Sequence, residues 1–565
     1  MSALVECVPN FSEGRDRAVL DAITREIEGV EGARLLDVDP GADTNRTVVT
    51  FVGPPDAVVE AAFRAIRTAS QRIDMSKHRG AHPRMGATDV CPFVPVSGIT
   101  MEQCAELARQ LGERVGRELS IPVYLYENAA SRPERRSLAD VRVGEYEALS
   151  EKLKQPEWKP DFGPAEFNAK AGATAIGARE FLIAYNVNIN SPNRKLATQI
   201  ALSVREKGRI KRTPDGTAIR DEDGKLVYNP GLLRECRAVG WEIPEYRRAQ
   251  VSINLTNYHV TPIHLAFDTC AAEGERHGIR VTGSELVGLV PLEAMLMAGR
   301  HYLRKQGQST GIPEERIVEI AIQSLGLNEV APFDPEKKII EYRIRETGNR
   351  LVDMTIRGFA DELSTDSPAP GGGSVAAVCG SLGAALAAMV ANLTIGKKGF
   401  EEAYEEMDRV ASEGQRLKDA FLADVDRDTD AFNAVMAAMR LPKKSDEDKA
   451  ARAKAMEEAN RGAIEVPLGV LARCEAVLDL ADVVAERGNP NSASDAAVAA
   501  LCAGACAEGA YDNVMINLPG ITDRAWATET ATNAKQLLEA ASRRATGIAG
   551  KVRTRLEEEA IPGSG

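Results

Sequence analysis

The sequence predicts two α+β subdomains of the ferredoxin-like sandwich type followed by an all-α helical bundle. Three observations carry that expectation. Up to about residue 127, short β-rich runs alternate with amphipathic helical runs in the order βαββαβαβ, and two adjacent strands in the middle break the alternation of a doubly wound sheet. A second α+β pattern begins near Arg179. Beyond about Asp353, Ala, Glu, Leu and Val dominate with few β-branched runs, which suits long packed helices. The 565 residues allow three or four compact bodies. The expected bounds are 1–178 and 179–330 for the two subdomains, 331–350 for a linker and 351–565 for the helical domain.

In the first subdomain, Leu4 to Val8, Arg34 to Val38, Thr47 to Val52, Val90 to Val96 and Val123 to Tyr126 read as strands. Arg15 to Glu28, Asp56 to Arg72 and Met101 to Glu118 carry apolar residues at helical spacing. Asp161 to Gly177 reads as a long glycine-bearing loop at the junction of the subdomains, a favoured position for a ligand cleft whose backbone amides can hold carboxylates or a heterocycle edge; a plain interdomain linker is the equal alternative. In the second subdomain, Phe181 to Ile189 and Gln250 to Leu255 read as strands. Asn193 to Lys207 and Thr261 to Arg276 read as helices, the latter with Pro262 in its first turn. The runs Thr47 to Ile66 and Gln250 to Cys270 share a plan of strand, short turn and helix, as a distant repeat would. Gly208 to Pro230, rich in Asp, Gly, Lys and Arg, reads as an exposed hairpin. The helical domain is broken at Pro368 to Gly373, Gly396 to Gly399, Leu441 to Asp446, Gly488 to Asn491 and Pro519 to Gly520.

Composition narrows the function. Seventy basic against 83 acidic residues give a net charge of −13, which opposes a sequence-independent grip on nucleic acid. Nine dispersed cysteines, with no C-x-x-C pair, read as reduced buried thiols of a cytoplasmic protein. Met1 to Arg15 shows no secretory signal. Ser367 to Gly396 holds no charge and is long enough to span a bilayer, yet its prolines, glycines, alanines and serines point to a tightly packed internal helix instead. All six histidines lie at or before His301, so proton chemistry in the helical half must use other groups.

His78-Arg-Gly-Ala-His82-Pro-Arg-Met-Gly86 is the densest polar cluster of the first half. Its histidines have the i, i+4 spacing of a helical metal site, but Gly80 and Pro83 break a helix and no third ligand is spaced with them. A loop histidine beside Arg84 can instead exchange protons near neutrality, or merely hold the loop together. Ser374, at the end of Ser367-Pro-Ala-Pro-Gly-Gly-Gly-Ser374, is a natural N-cap for the uncharged helix. Phe421, Val425, Phe432, Val435 and Met439 form a stripe whose gaps become 4, 3, 4, 3, 4 only when Asp428 fills the missing slot. Asp428 is therefore expected at a core position, Asp424 at the stripe's edge, and Asp426 and Asp430 on the opposite face. A carboxyl so placed has its pKa raised by desolvation and can act as a general acid or base; a buried ion pair is the alternative.

Val8-Pro-Asn-Phe-Ser-Glu-Gly14, Asp37-Val-Asp39, Thr44-Asn-Arg-Thr-Val48, Phe51-Val-Gly-Pro-Pro55, His82-Pro-Arg-Met-Gly86, Asp89-Val-Cys-Pro-Phe93 and Gly177-Ala-Arg with Phe181-Leu-Ile-Ala resemble glutamate formimidoyltransferases. Ala369-Pro-Gly-Gly-Gly-Ser-Val375, Val425-Asp-Arg-Asp428, Met439-Arg-Leu-Pro442 and Asn513-Val-Met-Ile-Asn-Leu518 resemble formimidoyltetrahydrofolate cyclodeaminases. In this order they resemble the family of fused bifunctional enzymes over nearly the whole chain. The resemblance implies His82 as the transferase's catalytic histidine and Asp428 as the cyclodeaminase's catalytic acid. It implies a folate site along Gly163, Pro164, Ala165, Glu166, Phe167, Asn168, Ala169, Lys170, Ala171 and Gly172, although Asn168-Ala-Lys170 departs from the family's usual proline and bulky aromatic.

The implied chemistry belongs to histidine degradation. A formimino group passes from N-formimidoyl-L-glutamate to tetrahydrofolate, a co-substrate, and ring closure then gives 5,10-methenyltetrahydrofolate and ammonia; no metal is called for. The implied partners are those two substrates, the folate in polyglutamylated form, and further copies of the chain in a ring of dimers, with neither nucleic acid nor membrane. Lys397 and Lys398, between two glycines, read as a solvated turn rather than a grip on a polyglutamate tail. Two alternatives remain at this level: a helical domain that oligomerises and binds folate without catalysis, and a transferase that uses a formyl donor.

Overall fold

Pro9 cannot donate to a β-ladder, so the first extended run enters its sheet in two pieces, β1 (Leu4–Cys7) and β2 (Asn10–Phe11). Both lie between β4 (Arg46–Gly53) and β5 (Thr88–Ser97), and β3 (Arg34–Gly41) borders β4, all antiparallel. This computed structural model describes residues 3–42, 44–80, 83–243, 246–345 and 350–560. Helix α1 (Arg17–Glu28) starts where the Asp16 carboxylate accepts from the amides of Ala18 and Val19, and α2 (Pro55–Arg72) starts with a proline, which needs no amide partner there. Ile23, Ile27, Val58, Ala62 and Ile66 of these helices pack on Val5, Cys7, Val49, Phe51 and Phe93 of the sheet. The result is the expected βαββαβ sandwich.

Two further strands widen the sheet beyond β5. There β7 (Thr174–Ala178) runs parallel to β5 and to β6 (Val123–Glu127), beside α3 (Met101–Leu119). The sequence reading placed residues 174–177 in a loop, whereas every residue of β7 is buried. Small residues hid the strand, and packing demands them: a Cβ on Gly177 would lie 2.6 Å from the Tyr126 ring. Two short helices follow β6, α4 (Leu138–Val141) and α5 (Glu145–Lys152), and their Val141 and Leu149 cover Val90, Tyr124 and Tyr126 on the other face of the sheet.

The second subdomain repeats the plan. β8 (Ile183–Ile189), α6 (Arg194–Val204), a two-strand hairpin of β9 (Arg209–Ile210) and β10 (Tyr228–Asn229), β11 (Cys236–Ile243), β12 (Arg248–Leu255), α7 (Ile263–Arg276) and β13 (Val281–Val287) follow in order. The four long strands lie in the antiparallel order β11-β12-β8-β13, matching β3-β4-β1-β5, so β12 and α7 stand where β4 and α2 stand in the first subdomain. The hairpin at 208–230 has the form expected. The sequence reading missed β11 and β13, each of which carries an internal glycine that reads as a breaker; Gly240 is there because a Cβ would lie 2.2 Å from the Thr198 amide.

By the density of their contacts, residues 1–295 and 325–345 form one unit, and 296–324 with 346–565 form another. Helix α8 (Leu292–Lys305) begins in the first unit and α9 (Glu314–Leu325) lies almost wholly in the second. Residues 331–345 belong to the first unit, where α10 (Pro335–Lys338) leads into α11 (Ile340–Ile344), which buries Ile340 and Tyr342.

The second unit is helical: α12 (Ile356–Leu363), α13 (Gly372–Asn392), α14 (Tyr404–Arg440), α15 (Asp446–Arg487), α16 (Ala493–Asn517) and α17 (Arg524–Ala560). Helix α13, apolar and long enough to cross a membrane, has 61% of its most apolar window buried against α14, α15 and α16. Its alanines and glycines bring the neighbouring backbones close, which explains the missing charge. The segment Ser309 to Gly311 docks on α14 and the end of α13: the Thr310 amide donates to the Asp408 carboxylate at 2.6 Å, and Asn392 Nδ2 donates to the Gly311 carbonyl at 2.9 Å.

Candidate active sites

In the first unit, residues 73–80 follow α2 and residues 83–87 lead into β5. Ala81 and His82 lie outside the described residues, and their neighbours define the site. His78, the other histidine of the pair, is buried with both ring nitrogens engaged. Arg84 Nε donates to its Nδ1 at 3.3 Å, so Nδ1 carries no proton and Nε2–H donates to the Asn45 carbonyl at 2.8 Å. His78 is a strut of the loop. Arg84, also buried, is gripped by Glu147 at 2.7 and 2.8 Å and by Glu145 at 3.2 Å. Asn45 ties the same loop to the first strand region, accepting from the Gly14 amide and donating to the Arg79 carbonyl, both at 3.0 Å. Asp89 accepts the Met85 amide at 2.9 Å and pairs with Arg142; burial raises its pKa, and Arg142 pulls it back.

The stretch 163–172 is bonded to both ends of that loop. Met75 N donates to the Lys170 carbonyl at 2.9 Å on one side, and Ala87 N to the Ala171 carbonyl at 2.8 Å on the other. Gly86 and Gly172 pair between them, and a Cβ on Gly172 would lie 2.2 Å from the Met85 carbonyl oxygen. Asn168, where the chain departs from the family pattern, shapes the turn: its Oδ1 accepts the Ala171 amide at 2.9 Å and its carbonyl the Gly172 amide at 2.7 Å. Lys170 Nζ donates to the Gln71 carbonyl at 2.7 Å. Gly163, Ala165, Glu166, Phe167, Ala169 and Lys170 are exposed, Pro164 and Asn168 half-buried, and Ala171 and Gly172 buried. The Phe167 ring leans on Tyr146, centroids 5.5 Å apart, and Tyr146 Oη donates to the Ala169 carbonyl. The backbone bonds thus join two segments, 73–87 and 163–172, that are about 90 residues apart in sequence. His78 takes the second role open to a loop histidine, holding the loop together, whereas Glu147, 63 residues beyond Arg84, has no signal in the sequence.

In the helical unit, Asp428 lies over the first turn of α13. Ser374 Oγ is 2.9 Å from Asp428 Oδ2 and 3.3 Å from the Val425 carbonyl. A Cβ on Gly373 would lie 2.1 Å from Asp428 Oδ1, so the bare backbone admits the carboxyl. Burial raises the Asp428 pKa, with the Ser374 hydroxyl and amide opposing it. Ser374 is not the N-cap expected from sequence: α13 starts at Gly372, and the hydroxyl serves Asp428 instead. Asn513, from another of the matched motifs, lies beside Gly372.

The apolar stripe differs from its expected depth. Phe421 and Val425 are core, but Phe432 and Met439 are 37% and 48% exposed, and Asp428 is half-buried. Asp424, expected at the edge, is the buried carboxylate, paired with Arg427 at 3.0 Å and with Arg473. Periodicity fixes the face of a helix; how far its neighbours extend fixes the depth. Asp426 accepts the Leu351 amide at 2.9 Å, and its pKa is raised by burial against that bond. Lys397 and Lys398 line a cavity of about 420 Å³ with Gly396, Phe400 and Tyr404, and Lys397 donates to Asn489.

Gly373→Ala tests the fit at Asp428. A methyl 2.1 Å from Oδ1 displaces the carboxyl, and overpacking of this kind costs roughly 1–3 kcal/mol. The expected outcome is a loss of the chemistry assigned to Asp428 of at least about tenfold with the first unit's activity unchanged, read by separate assays of the two steps.

Three family models match the chain: the formiminotransferase domain, N-terminal subdomain, over residues 4–179; the formiminotransferase domain over 184–345; and formiminotransferase-cyclodeaminase over 355–536. The chain is 44% identical over 559 residues to the formimidoyltransferase-cyclodeaminase of Mus musculus, covering 99% of this chain and 100% of that protein. It is 41% identical over 304 residues to the glutamate formimidoyltransferase of Streptococcus pyogenes serotype M1, covering 54% and 94%. Among solved structures, formiminotetrahydrofolate cyclodeaminase from Thermotoga maritima is 30% identical, covers 35% of this chain and 98% of its own, and superposes with a TM-score of 0.31.

Proposed function

The chain belongs to the formiminotransferase-cyclodeaminase family, and from that premise we propose that its two units divide two consecutive folate reactions between an imidazole and a carboxyl. It is a bifunctional enzyme, a transferase and a cyclodeaminase. In the first step N5 of tetrahydrofolate attacks the formimino carbon of N-formimidoyl-L-glutamate, and glutamate leaves. His82 relays the proton from the attacking to the departing nitrogen, as an imidazole with a pKa near ambient pH can. In the second step N10 closes on the same carbon and ammonia leaves. Asp428 protonates the departing nitrogen, giving 5,10-methenyltetrahydrofolate.

The observation that supports this reading most is the backbone bonding of 163–172 to both flanks of the loop that carries His82, through Met75 and Ala87. Phe167, exposed and braced by Tyr146, offers a ring face to a flat heterocycle. In the second unit, the Ser374 hydroxyl can serve both forms of Asp428. It donates to the carboxylate, or it accepts from the carboxylic acid while donating to the Val425 carbonyl. A group that must lose and regain a proton in each cycle needs such a partner.

The place in histidine degradation, assembly as a homo-oligomer and a cytoplasmic setting belong to the same proposal. Nine free cysteines, most of them buried, suit a reducing compartment. Incubating the protein with N-formimidoyl-L-glutamate and tetrahydrofolate tests the function: ammonia and the methenyl chromophore should appear in equal amounts. Transfer without ammonia would leave the helical unit a binding module, and an equally good formyl donor would remove the formimino assignment.

A further inference from the structure

We propose that Arg46 is a binding residue for a carboxylate of the transferase's substrates. The inference rests on the transferase reading and adds a subsite to it. Arg46 opens β4, directly after Asn45, whose side chain and carbonyl are tied to Gly14, Arg79 and His78. Its backbone is therefore fixed beside the loop that carries His82.

The Arg46 side chain is half-buried, and its Nε is wholly buried with no hydrogen-bond partner. Among the described residues its guanidinium makes no hydrogen bond and no ion pair. Three other buried or half-buried arginines of this unit have carboxylate partners: Arg84 has Glu145 and Glu147, Arg135 has Asp161, and Arg142 has Asp89. The charges that act on Arg46 are Asp89 and Asp39, which favour its charged form, and Arg142, which opposes it. Asp89 is already committed to Arg142 and to the Met85 amide. The Nε of Arg142 is likewise buried without a partner.

A desolvated, unpaired guanidinium is costly, and an apolar residue at the same position would relieve the cost. Its place next to Asn45, which is bonded to Arg79 and His78 of the loop that carries His82, points to a partner that arrives with the substrate. Guanidinium Nε and Nη present two parallel N–H groups that match a carboxylate. Both substrates carry one. In N-formimidoyl-L-glutamate the α-carboxylate sits on the carbon bonded to the formimino nitrogen, so a grip there would hold the reacting carbon next to the loop. In folate the carboxylates lie at the far end, on the glutamate tail.

Arg46→Gln in the full chain tests the subsite by varying the two substrates separately in the transfer assay. The expected result is a KM for N-formimidoyl-L-glutamate raised on the order of 30-fold or more, with kcat within about threefold of wild type. The same rise in the KM for tetrahydrofolate instead would place the folate tail there, which still supports a carboxylate site. Arg46→Lys should recover part of the loss, because the charge returns without the fork. The Tm of Arg46→Gln should equal or exceed that of wild type, since no internal bond is removed. A clear fall in Tm, or unchanged KM values for both substrates, or a collapse of kcat alone, overturns the inference. Wild type assayed alongside separates the two levels: a wild type that transfers while Arg46→Gln keeps both KM values sinks only the subsite, whereas a wild type that transfers nothing sinks the transferase reading.

Discussion

Asp428→Asn stops ring closure and lets 5-formimidoyltetrahydrofolate accumulate while transfer proceeds at the wild-type rate. Asparagine keeps the shape over Gly373 and can still accept from Ser374, so what it removes is the titratable proton. Loss of a positioned acid costs roughly 10²–10⁴ in rate, and the sequence holds no histidine beyond His301 to replace it. Asp426→Asn is the control two residues away. That carboxyl holds the Leu351 amide, so its loss should weaken the fold locally and leave ring closure nearly intact. Accumulation of the intermediate in Asp426→Asn and not in Asp428→Asn would refute the assignment.

The same substitution has a signature in stability. Burial raises the Asp428 pKa in the folded state, so the folded protein holds this proton more tightly than the unfolded chain, where an aspartate titrates near about 3.9. The contribution of Asp428 to stability is then full at low pH and declines as pH rises from the unfolded value through the folded one. Asn is flat over that window. Across it, the Tm of Asp428→Asn should gain on wild type as the pH is raised, the opposite of what loss of a stabilising ion pair would give. Ring closure should fall on the alkaline side of the folded pKa, where the acid form is depleted.

His82→Ala abolishes transfer, by about 10²–10⁴, and leaves ring closure of supplied 5-formimidoyltetrahydrofolate untouched. His78 cannot stand in for it, because Arg84 and the Asn45 carbonyl occupy both its nitrogens. His78→Ala has a different expected cost. It leaves Arg84 Nε and the Asn45 carbonyl unmatched in a buried site, so it should lower Tm as well as activity. Equal loss of both reactions in His82→Ala would end the division of labour.

Much of this architecture is visible in the sequence because local and tertiary demands agree. Arg34 to Val38, Thr47 to Val52 and the helices around them have their expected periods, and their order alone excludes a doubly wound sheet. β7, β11 and β13 escape because their small residues and glycines answer to contacts from distant parts of the chain: Tyr126 over Gly177, Thr198 over Gly240. Asp428 illustrates both sides. Its phase on the helix can be read from Phe421 and Val425, but its depth depends on where the neighbours of α14 end, and its partner Ser374 lies 54 residues away in sequence. The surroundings of Arg46 are legible only in space. In sequence it is the basic residue of Thr44-Asn-Arg-Thr-Val48; in the fold it is a half-buried guanidinium without a partner among the described residues.

The division of labour is tested most directly by mixing His82→Ala and Asp428→Asn proteins in one vessel with N-formimidoyl-L-glutamate and tetrahydrofolate. Each alone should form no methenyl chromophore. Together they should form it after a lag, with stoichiometric ammonia, as the intermediate made by one protein is closed by the other. A mixture as inactive as its components, with both proteins folded, would contradict the account.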